Sequence, residues 1–286
     1  MRELRRDLRG KVILLTGATN GIGEFAAREL AARGASLGIV ARDRSKGERL
    51  LADLRHANDA VELYVADLSR QADVRALAGE FRARHDRLDV LANNAGALFQ
   101  AYRLSADGYE MTFALNHLAY FLLTVLLLDL VEKTPGARIV NTSSSVHASA
   151  RFVLDDLPRR ERSRRAGFAA YCDSKLANVL FTRQLAKRLR PGGATVCCFH
   201  PGLVHTGFAL GEETVVSSVL RLLRPLVART PAQGARTLLW LATSEAQPAN
   251  GEYFFDCMVA RTSRAARDDA LAERLWALSE SLCTHP

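Results

Sequence analysis

A tyrosine and a lysine four residues apart, Tyr171 and Lys175, have the types and spacing for proton transfer. On a helix this spacing places both side chains on one face. A free phenol has a pKa of about 10, too high for efficient acid–base catalysis near neutrality, and a neighbouring ammonium group is expected to lower it by favouring the phenolate. The pair therefore predicts a group that gives a proton to a carbonyl oxygen or takes one from an alcohol. An ordinary exposed helix turn is the alternative that the spacing alone leaves open.

Two further polar residues lie where they could complete a catalytic set. Ser144 is the middle one of three serines that follow the predicted strand 138–142. Its hydroxyl is suited to orienting a carbonyl and stabilising the charge that develops on oxygen, although its two serine neighbours offer the same chemistry. Asn116 lies in a helix predicted to begin near Asp107. An isolated asparagine inside a helix more often makes only a local polar contact, so its role depends on the complete set.

A glycine-rich turn follows the first predicted strand, 11–16, and precedes a predicted helix, 22–33. Glycines allow the backbone to approach a pyrophosphate closely, and the free N–H groups of a helix N-terminus face the anion. The spacing is G-x-x-x-G-x-G rather than the commoner G-x-G-x-x-G, and a glycine-rich hairpin is the alternative. The predicted cofactor-binding residues of this turn are Gly17, Thr19, Asn20, Gly21, Ile22 and Gly23.

The residue after the second predicted strand indicates which dinucleotide is bound. An NAD site usually has a carboxylate there, which holds the ribose 2′-hydroxyl. Here the strand ends at Ala41 and is followed by Arg42, whose guanidinium can bind a 2′-phosphate. We therefore expect NADP(H) as the cofactor. Asp43 is the counter-argument, although its side chain is expected to point away from Arg42, and a merely solvated Arg42 is the alternative.

Short apolar or β-branched runs alternate with longer helical patterns along the chain, which is typical of a parallel sheet covered by helices. The predicted strands are 11–16, 36–41, 61–66, 90–93, 138–142, 195–200 and 252–255, and the clearest predicted helices are 22–33, 72–84 and 168–190. No repeat, low-complexity tract or linker divides the chain. We expect one α/β domain over residues 1–286, a Rossmann-type doubly wound fold with a mostly parallel seven-stranded sheet and helices on both faces.

Two segments interrupt this alternation, and each follows the carboxyl end of a predicted strand. Ligands bind at that end in open α/β sheets, so 145–167 and 207–230 are predicted to be substrate loops. The first contains a cluster of arginines at 159–165, and the second a leucine-rich stretch at 219–227. A plain packed surface helix and a helix lying on a membrane are the alternatives for the second segment.

The composition excludes several classes of function. The net charge is +8, from 39 basic and 31 acidic residues, but the arginines are spread along the chain without a nucleic-acid-binding signature, so nucleic acid is not an expected partner. His147, His200 and His205 lack cysteine or carboxylate partners at ligand spacing, and we expect no metal. Adjacent Cys197 and Cys198 are expected to point to opposite faces of a strand and to serve packing.

The cysteines and the apolar runs also indicate a compartment. Five cysteines without a C-x-x-C motif favour free thiols in a reducing, cytoplasmic environment. The N-terminal residues have no apolar core typical of a signal peptide. The most apolar run, 120–131, is shorter than the ~20 residues that span a bilayer, so we expect a buried helix and no transmembrane span, with peripheral membrane contact as a remaining option.

Taken in order along the chain, these motifs resemble the short-chain dehydrogenase/reductase family. The resemblance extends over nearly the whole sequence, and in this order the elements are specific, whereas Y-x-x-x-K alone is common. Three stretches, 138–144, 171–182 and 200–204, resemble more closely the retinol dehydrogenase branch, which includes protochlorophyllide reductase-like relatives. That branch also carries an insertion between the catalytic serine and tyrosine, in keeping with the 27 residues (171 − 144) between Ser144 and Tyr171.

The resemblance implies roles for further residues. Asn116 is expected to support Lys175 through a water-mediated proton relay, and Lys175 to hold the nicotinamide ribose. Asp67 and Leu68 are expected at the adenine. The remaining cofactor contacts that the resemblance implies are Asn94, Ala95, Gly96, Pro201, Gly202, Val204 and Thr206. Relatives often form homodimers or homotetramers through the helices that carry Asn116 and Tyr171, so either assembly is an expected state.

The expected function is NADPH-dependent interconversion of an alcohol and an aldehyde or ketone, with an apolar and possible retinal-like substrate. Two alternatives remain open at this point. One is an NADP(H)-binding sensor without turnover, although such proteins commonly lose part of the Ser–Tyr–Lys set, which is intact here. The other is reduction of a carbon–carbon double bond, as in protochlorophyllide reductase-like relatives.

Overall fold

The sheet has eight strands in the order β3-β2-β1-β4-β5-β6-β7-β8, and all neighbouring strands except β7 and β8 are parallel. The computed structural model describes residues 7–151, 153–154, 156, 166–204 and 229–284. The strands are β1 (Val12–Thr16), β2 (Ser36–Ala41), β3 (Val61–Val65), β4 (Val90–Asn93), β5 (Arg138–Thr142), β6 (Thr195–Phe199), β7 (Tyr253–Phe255) and β8 (Met258–Val259). The chain order reverses between β1 and β4, which creates the crevice where doubly wound folds bind ligands.

Helices cover both faces of the sheet. The helices are α1 (Gly21–Ala32), α2 (Arg44–Arg55), α3 (Gln71–Arg84), α4 (Met111–Lys133), α5 (Ala166–Arg188), α6 (Pro231–Thr243) and α7 (Asp269–Thr284). One apolar core lies between the sheet and helices α3, α4, α5 and α7, and a second lies between the sheet and α1, α2 and α6. The predicted doubly wound α/β class is confirmed.

The central strands are buried on both faces because each core supplies apolar contacts to alternate side chains. Cys197 belongs to the core under α1 and α6, whereas Cys198 belongs to the core under α4 and α5. Burial raises the pKa of the Cys197 thiol to about 12. The predicted packing role of these two cysteines on opposite faces of β6 is thus confirmed.

The helix that carries Asn116 differs from its predicted start. It begins at Met111, where the Glu110 carboxylate caps the N–H groups of Thr112 and Phe113, rather than near Asp107. Its second turn, Ala114–Leu118, is π-helical. The whole helix is long and apolar enough to span a membrane, but 72% of its most apolar window is buried within the protein, the burial of a core helix.

The sheet gains an eighth strand beyond the seven predicted. A two-residue turn joins β7 to β8, with Asp256 at φ 48° and Cys257 at φ 64°. Two consecutive positive φ values are the geometry of a type I′ hairpin turn, which usually carries Asn-Gly or Asp-Gly. A cysteine at the second position lacks that sequence signal, which explains why the hairpin was not predicted.

Candidate active site

Tyr171 and Ser144 meet at the carboxyl end of β5. Tyr171 lies in the first turns of α5, and Ser144 follows β5 and opens the short 3-10 turn Ser145–Ser149. The two side chains are hydrogen-bonded to each other, and the Ser144 hydroxyl also accepts a hydrogen bond from the Val146 N–H at 3.4 Å. Two hydroxyl groups thus converge where a carbonyl oxygen could accept a hydrogen bond from each.

Lys175 is held beneath Tyr171 by the backbone of β5. Its ammonium nitrogen donates to the Thr142 carbonyl at 3.2 Å and lies 5.4 Å from the centre of the Tyr171 ring. Only 2% of Lys175 is exposed, and no carboxylate among the described residues forms an ion pair with it. A buried lysine without a carboxylate partner loses hydration of its charge, and this burial lowers the pKa of Lys175 to about 7.

The prediction that the Lys175 ammonium lowers the pKa of the Tyr171 phenol is wrong. Burial raises the pKa of the Tyr171 phenol above its usual value, and the hydrogen bond from Ser144 opposes this only in part. The physical reason is that burial penalises both the phenolate and the ammonium of Lys175. Tyr171 is therefore a protonated group near neutrality and is prepared to donate a proton.

Asn116 lies in the π-helical turn of α4, a feature that occurs often at functional sites. Its amide side chain exchanges two hydrogen bonds with the backbone of Ala97, at 2.9 and 3.0 Å, and donates to the Ser174 hydroxyl at 3.0 Å. Ser174 in turn donates to the Tyr171 carbonyl at 2.8 Å. The side chain of Asn116 therefore fixes the loop after β4 against α5, while its backbone carbonyl faces Asn178.

Asn178 is a polar residue of the site that the sequence analysis missed. Its amide donates to the Asn116 carbonyl at 2.9 Å and to the Thr142 carbonyl at 3.2 Å, the same carbonyl that accepts from Lys175. Its own oxygen lies 3.3 Å from Nδ1 of His117. The signal available in the sequence was its spacing, because a residue three positions after Lys175 lies on the same face of α5.

His117 continues this buried network to the C-terminal helix. Its Nε2 lies 2.8 Å from the hydroxyl of Ser279 on α7. Burial lowers the pKa of His117 to about 4, so the ring is neutral near pH 7. A neutral imidazole has one N–H, and the Ser279 hydroxyl donates its own proton to the Leu275 carbonyl at 2.8 Å. The orientation of the Asn178 amide is fixed by its own hydrogen bonds to the Asn116 and Thr142 carbonyls.

The glycine-rich turn has the shape of a phosphate-binding site. A Cβ atom on Gly23 would lie 2.0 Å from the Gly17 carbonyl oxygen, and one on Gly17, at φ +67°, would lie 2.7 Å from Cα of Ala95. Asn20 precedes α1 without a side-chain capping hydrogen bond, so the first N–H groups of the helix remain directed outward. Ile22 packs over Gly234 of α6, and Thr19 is partly buried in the same turn. This geometry fits a pyrophosphate.

The Asn94–Gly96 stretch is joined to the glycine-rich turn by Thr16. The Thr16 hydroxyl accepts from the N–H groups of Asn94 and Ala95 at 2.9 and 3.0 Å, and the Asn94 amide donates to the Thr16 carbonyl at 3.1 Å. A Cβ atom on Gly96 would lie 3.5 Å from the Lys175 nitrogen. The loop after β4 therefore connects the predicted phosphate and nicotinamide regions.

Arg42 and Asp67 lie at the ends of β2 and β3, where the adenosine half of a dinucleotide binds in this fold. Arg42 is exposed, whereas the Asp43 carboxylate is occupied as the cap of α2, accepting from the Lys46 N–H at 3.0 Å. That hydrogen bond lowers the pKa of Asp43. Asp67 accepts from the N–H and hydroxyl of Ser69 at 3.0 and 2.7 Å, and Leu68 beside it is buried.

The first residues of the loop after β6 are held in place by contacts with Arg229. Gly202 has φ +81°, a conformation that favours glycine, and a Cβ atom there would lie 2.7 Å from Cδ of Arg229. Val204 forms a β-bridge with Arg229, whose N–H donates to the Leu203 carbonyl at 2.7 Å. Pro201 precedes this arrangement. His205, Thr206, residues 207–228 of the second predicted loop segment and residues 152, 155 and 157–165 of the first lie outside the described residues.

His147 and His200 lie beside the site. No cluster of three potential metal ligands occurs within the described ranges. His147 lies 2.8 Å from the Ser144 carbonyl, and His200 stacks on Phe255 with ring centres 4.0 Å apart. Burial lowers the pKa of both histidines, that of His200 to about 4, so both rings are neutral near pH 7.

Comparisons with known proteins agree with this geometry. The family model described as short chain dehydrogenase matches residues 11–154. The chain is 43% identical over 276 residues to retinol dehydrogenase 12 of Homo sapiens, covering 96% of this chain and 86% of the relative. It is 40% identical over 286 residues to retinol dehydrogenase 11 of Mus musculus, covering 98% and 88%.

Solved structures give the same result at the level of the fold. A crystal structure of a protein from Mycobacterium paratuberculosis superimposes with a TM-score of 0.77 at 33% identity, covering 97% of this chain and 95% of that chain. A short chain dehydrogenase from Escherichia coli complexed with NADPH superimposes with a TM-score of 0.68 at 26% identity, covering 87% and 98%.

Proposed function

The chain belongs to the short-chain dehydrogenase family, in its retinol dehydrogenase-like branch, and we propose that it is an NADPH-dependent carbonyl reductase with Tyr171 as the proton donor. The observation that carries the proposal is the hydrogen-bonded Ser144–Tyr171 pair directly above the buried Lys175. The reaction is R₂C=O + NADPH + H⁺ → R₂CHOH + NADP⁺, and the reverse reaction uses the same groups.

The residues of the site have separate roles in the reaction. Reduced nicotinamide supplies the hydride when it is bound. Ser144 and Tyr171 hold the carbonyl oxygen, and Tyr171 transfers its phenolic proton to that oxygen as negative charge develops there. The raised pKa of Tyr171 keeps it protonated beforehand.

Lys175 stabilises the phenolate that Tyr171 leaves behind. The Lys175 nitrogen lies 5.4 Å from the centre of the Tyr171 ring, and opposite unit charges about 4 Å apart attract by about 4 kcal/mol at an effective dielectric constant of about 20. This attraction exists only after the proton has been transferred, so it lowers the barrier instead of strengthening ground-state binding. The Thr142 carbonyl keeps the ammonium in place for this purpose.

The preference for NADP(H) rests on the charges at the end of β2. A ribose 2′-phosphate would meet the exposed guanidinium of Arg42, and the one carboxylate beside it, on Asp43, is engaged as a helix cap. An NAD-type carboxylate is missing from the end of β2, where Ala41 stands. A hydrogen bond to a charged group contributes about 1.5–3 kcal/mol, enough for at least a tenfold cofactor preference.

The test of the reaction is turnover of purified protein with NADPH or NADH and a panel of retinal, medium-chain aldehydes and aromatic ketones. We expect NADPH-dependent turnover that falls at least a thousandfold in Tyr171→Phe but not in the matched control Tyr64→Phe, whose lost hydroxyl bonds Glu62 far from the site. Tight NADPH binding without turnover of any substrate would instead favour a sensor.

The cofactor assignment has a separate test. Arg42→Gln is expected to raise the KM for NADPH about tenfold or more and to leave that for NADH little changed, whereas Arg274→Gln removes an equal charge from the exposed face of α7 and changes neither. Equal KM values for the two cofactors in the wild type would overturn the role of Arg42 without affecting that of Tyr171.

A further inference from the structure

A cavity of about 270 Å³ lies beside the catalytic pair. It is open to solvent and is bordered by the 3-10 turn after Ser144, the end of β6, the start of β7 and the segment after β8. The lining residues are Ser145, His147, Ala148, His200, Tyr253, Ala260, Arg261, Thr262 and Ser263. None of the mechanistic roles above requires this space.

The cavity is connected to the reacting groups through Ser144. The side chain of Ser144 bonds Tyr171, and its carbonyl lies 2.8 Å from Nδ1 of His147, whose ring centre lies 4.9 Å from that of Tyr253. Tyr253 is also close enough to Tyr171 for the two phenolates to repel each other, an effect that adds to burial in raising the pKa of Tyr253. A substrate whose carbonyl contacts Ser144 and Tyr171 therefore has this cavity as a neighbour.

The lining offers hydrogen-bond donors and a positive charge. Nδ1 of His200 accepts from the Gly202 N–H at 3.3 Å, so the neutral ring carries its proton on Nε2. The Tyr253 hydroxyl is buried away from the cavity, so Tyr253 contributes only its ring to the lining.

The positive charge of Arg261 favours a negatively charged ligand in the cavity. It is exposed at the cavity, and no aspartate or glutamate is among the nine lining residues. His147 offers no competing acceptor, since its Nδ1 is directed at the Ser144 carbonyl and its Nε2 accepts from the Ser263 N–H at 3.3 Å. The rings of His147, His200 and Tyr253 also line the cavity and pack against one another. A neutral polyene would leave the donors and the charge unused.

We propose that this cavity binds a carboxylate on the substrate, and that the substrate class is an aromatic aldehyde or ketone with an anionic group distant from its carbonyl. Arg261 pairs with the carboxylate, and the aromatic body of the substrate packs against the rings of the lining. This inference rests on the proposed carbonyl reductase function and names its substrate class.

The test compares 4-formylbenzoate with benzaldehyde, two aldehydes that differ by one carboxylate. We expect the wild-type ratio of their kcat/KM values to favour 4-formylbenzoate at least tenfold. Arg261→Gln lowers that ratio at least tenfold, whereas Arg264→Gln, which removes an equal charge three residues away and outside the lining, leaves the ratio within twofold. A wild-type ratio near one, or an equal ratio in Arg261→Gln, overturns the proposal while leaving the reductase function intact.

A binding measurement separates failure of the cavity from failure of the reaction. Calorimetric titration with the product alcohol 4-(hydroxymethyl)benzoate, in the presence of NADPH so that the alcohol cannot be oxidised, is expected to give binding at least tenfold tighter than benzyl alcohol, and Arg261→Gln removes the difference. Such binding without turnover of either aldehyde supports the cavity and contradicts the proposed function. Equal binding of the two alcohols overturns the cavity, whatever the turnover.

Discussion

Arg229 and Asp256 form a two-pronged ion pair that joins the loop after β6 to the hairpin between β7 and β8, with Nη2 of Arg229 2.7 Å from Oδ2 of Asp256. The guanidinium also lies over the Phe255 ring, 4.5 Å from its centre, and packs against Gly202. Asp256 reaches it from a backbone conformation with positive φ. The hairpin turn thus holds the loop that is expected to contact the nicotinamide.

We expect Asp256→Asn to raise the KM for NADPH two- to fivefold, with a smaller effect on kcat. The two side chains are 28% and 34% exposed, so solvent screening limits the pair to about 1 kcal/mol. Initial-rate kinetics with varied NADPH measures the effect. Asp269→Asn, which removes a surface partner of Arg183 and Lys187 on α7, is the control. Equal effects of the two substitutions would contradict a role for the Arg229–Asp256 ion pair in cofactor binding.

The pH dependence of carbonyl reduction is predicted by the state of Lys175. Its pKa of about 7 means that the ammonium is present below this pH and is lost above it. Because kcat/KM reports groups of the free enzyme, kcat/KM is expected to fall as pH rises through about 7. Tyr171 stays protonated through this range and does not cause the fall. Lys175→Arg keeps its charge at every pH tested, so its lower activity is expected to lack the step; a flat wild-type profile from pH 6 to 9 would contradict the assignment.

Replacing Asn178 with leucine is expected to lower kcat/KM at least tenfold and to move the pH step upward. The Thr142 carbonyl, relieved of one donor, accepts more strongly from Lys175 and stabilises its ammonium, while the buried Asn116 carbonyl is left without its amide partner. An unpaired buried group costs about 1–3 kcal/mol.

Thr182→Val separates this positioning role from stability. Thr182 lies one turn further along α5 and donates to the Asn178 carbonyl at 2.8 Å without reaching Lys175. Its replacement should lower the Tm without displacing the pH step. The role of Asn178 would be purely structural if both variants lowered the Tm and neither moved the step.

Gly23→Ala is expected to weaken NADPH binding at least a hundredfold in a fluorescence titration. The added Cβ atom would lie 2.0 Å from the Gly17 oxygen, so the turn that is predicted to hold the pyrophosphate has to move. Gly79→Ala is the matched control, because nothing lies within 4 Å of its added atom on the exposed side of α3. That control should bind NADPH normally and gain about 0.5–1 kcal/mol of stability. Normal binding by Gly23→Ala would exclude this turn as the phosphate site.

Periodicity and turn residues predicted the strands closely because local patterns determine them. β2, β4 and β5 have the predicted bounds, and β1, β3, β6 and β7 each differ by one residue. Glycine at Gly17 and Gly23 also identified the tight turn correctly, since close backbone approach leaves no choice of residue. These features depend on residues that are close together in the sequence, so the sequence predicts them.

Features created by packing were not predictable in the same way. The pKa of Tyr171 is raised because the assembled core buries it, which the four-residue spacing to Lys175 does not reveal. Asn178 belongs to the site only because β5, the π-turn of α4 and α7 meet around it. The start of α4 at Met111 follows from the capping carboxylate of Glu110, a choice among several acidic residues that sequence alone did not make.

The β-bridge between Val204 and Arg229 has a consequence for how this scaffold changes over evolution and in engineering. The bridge holds the residues that flank 205–228 next to each other. Doubling the length of a flexible segment between two such fixed ends costs only about 0.6 kcal/mol in loop-closure entropy. Sequences of other lengths could be exchanged at this position with little penalty to folding, and substrate selectivity could diverge while the proton-transfer machinery remains untouched.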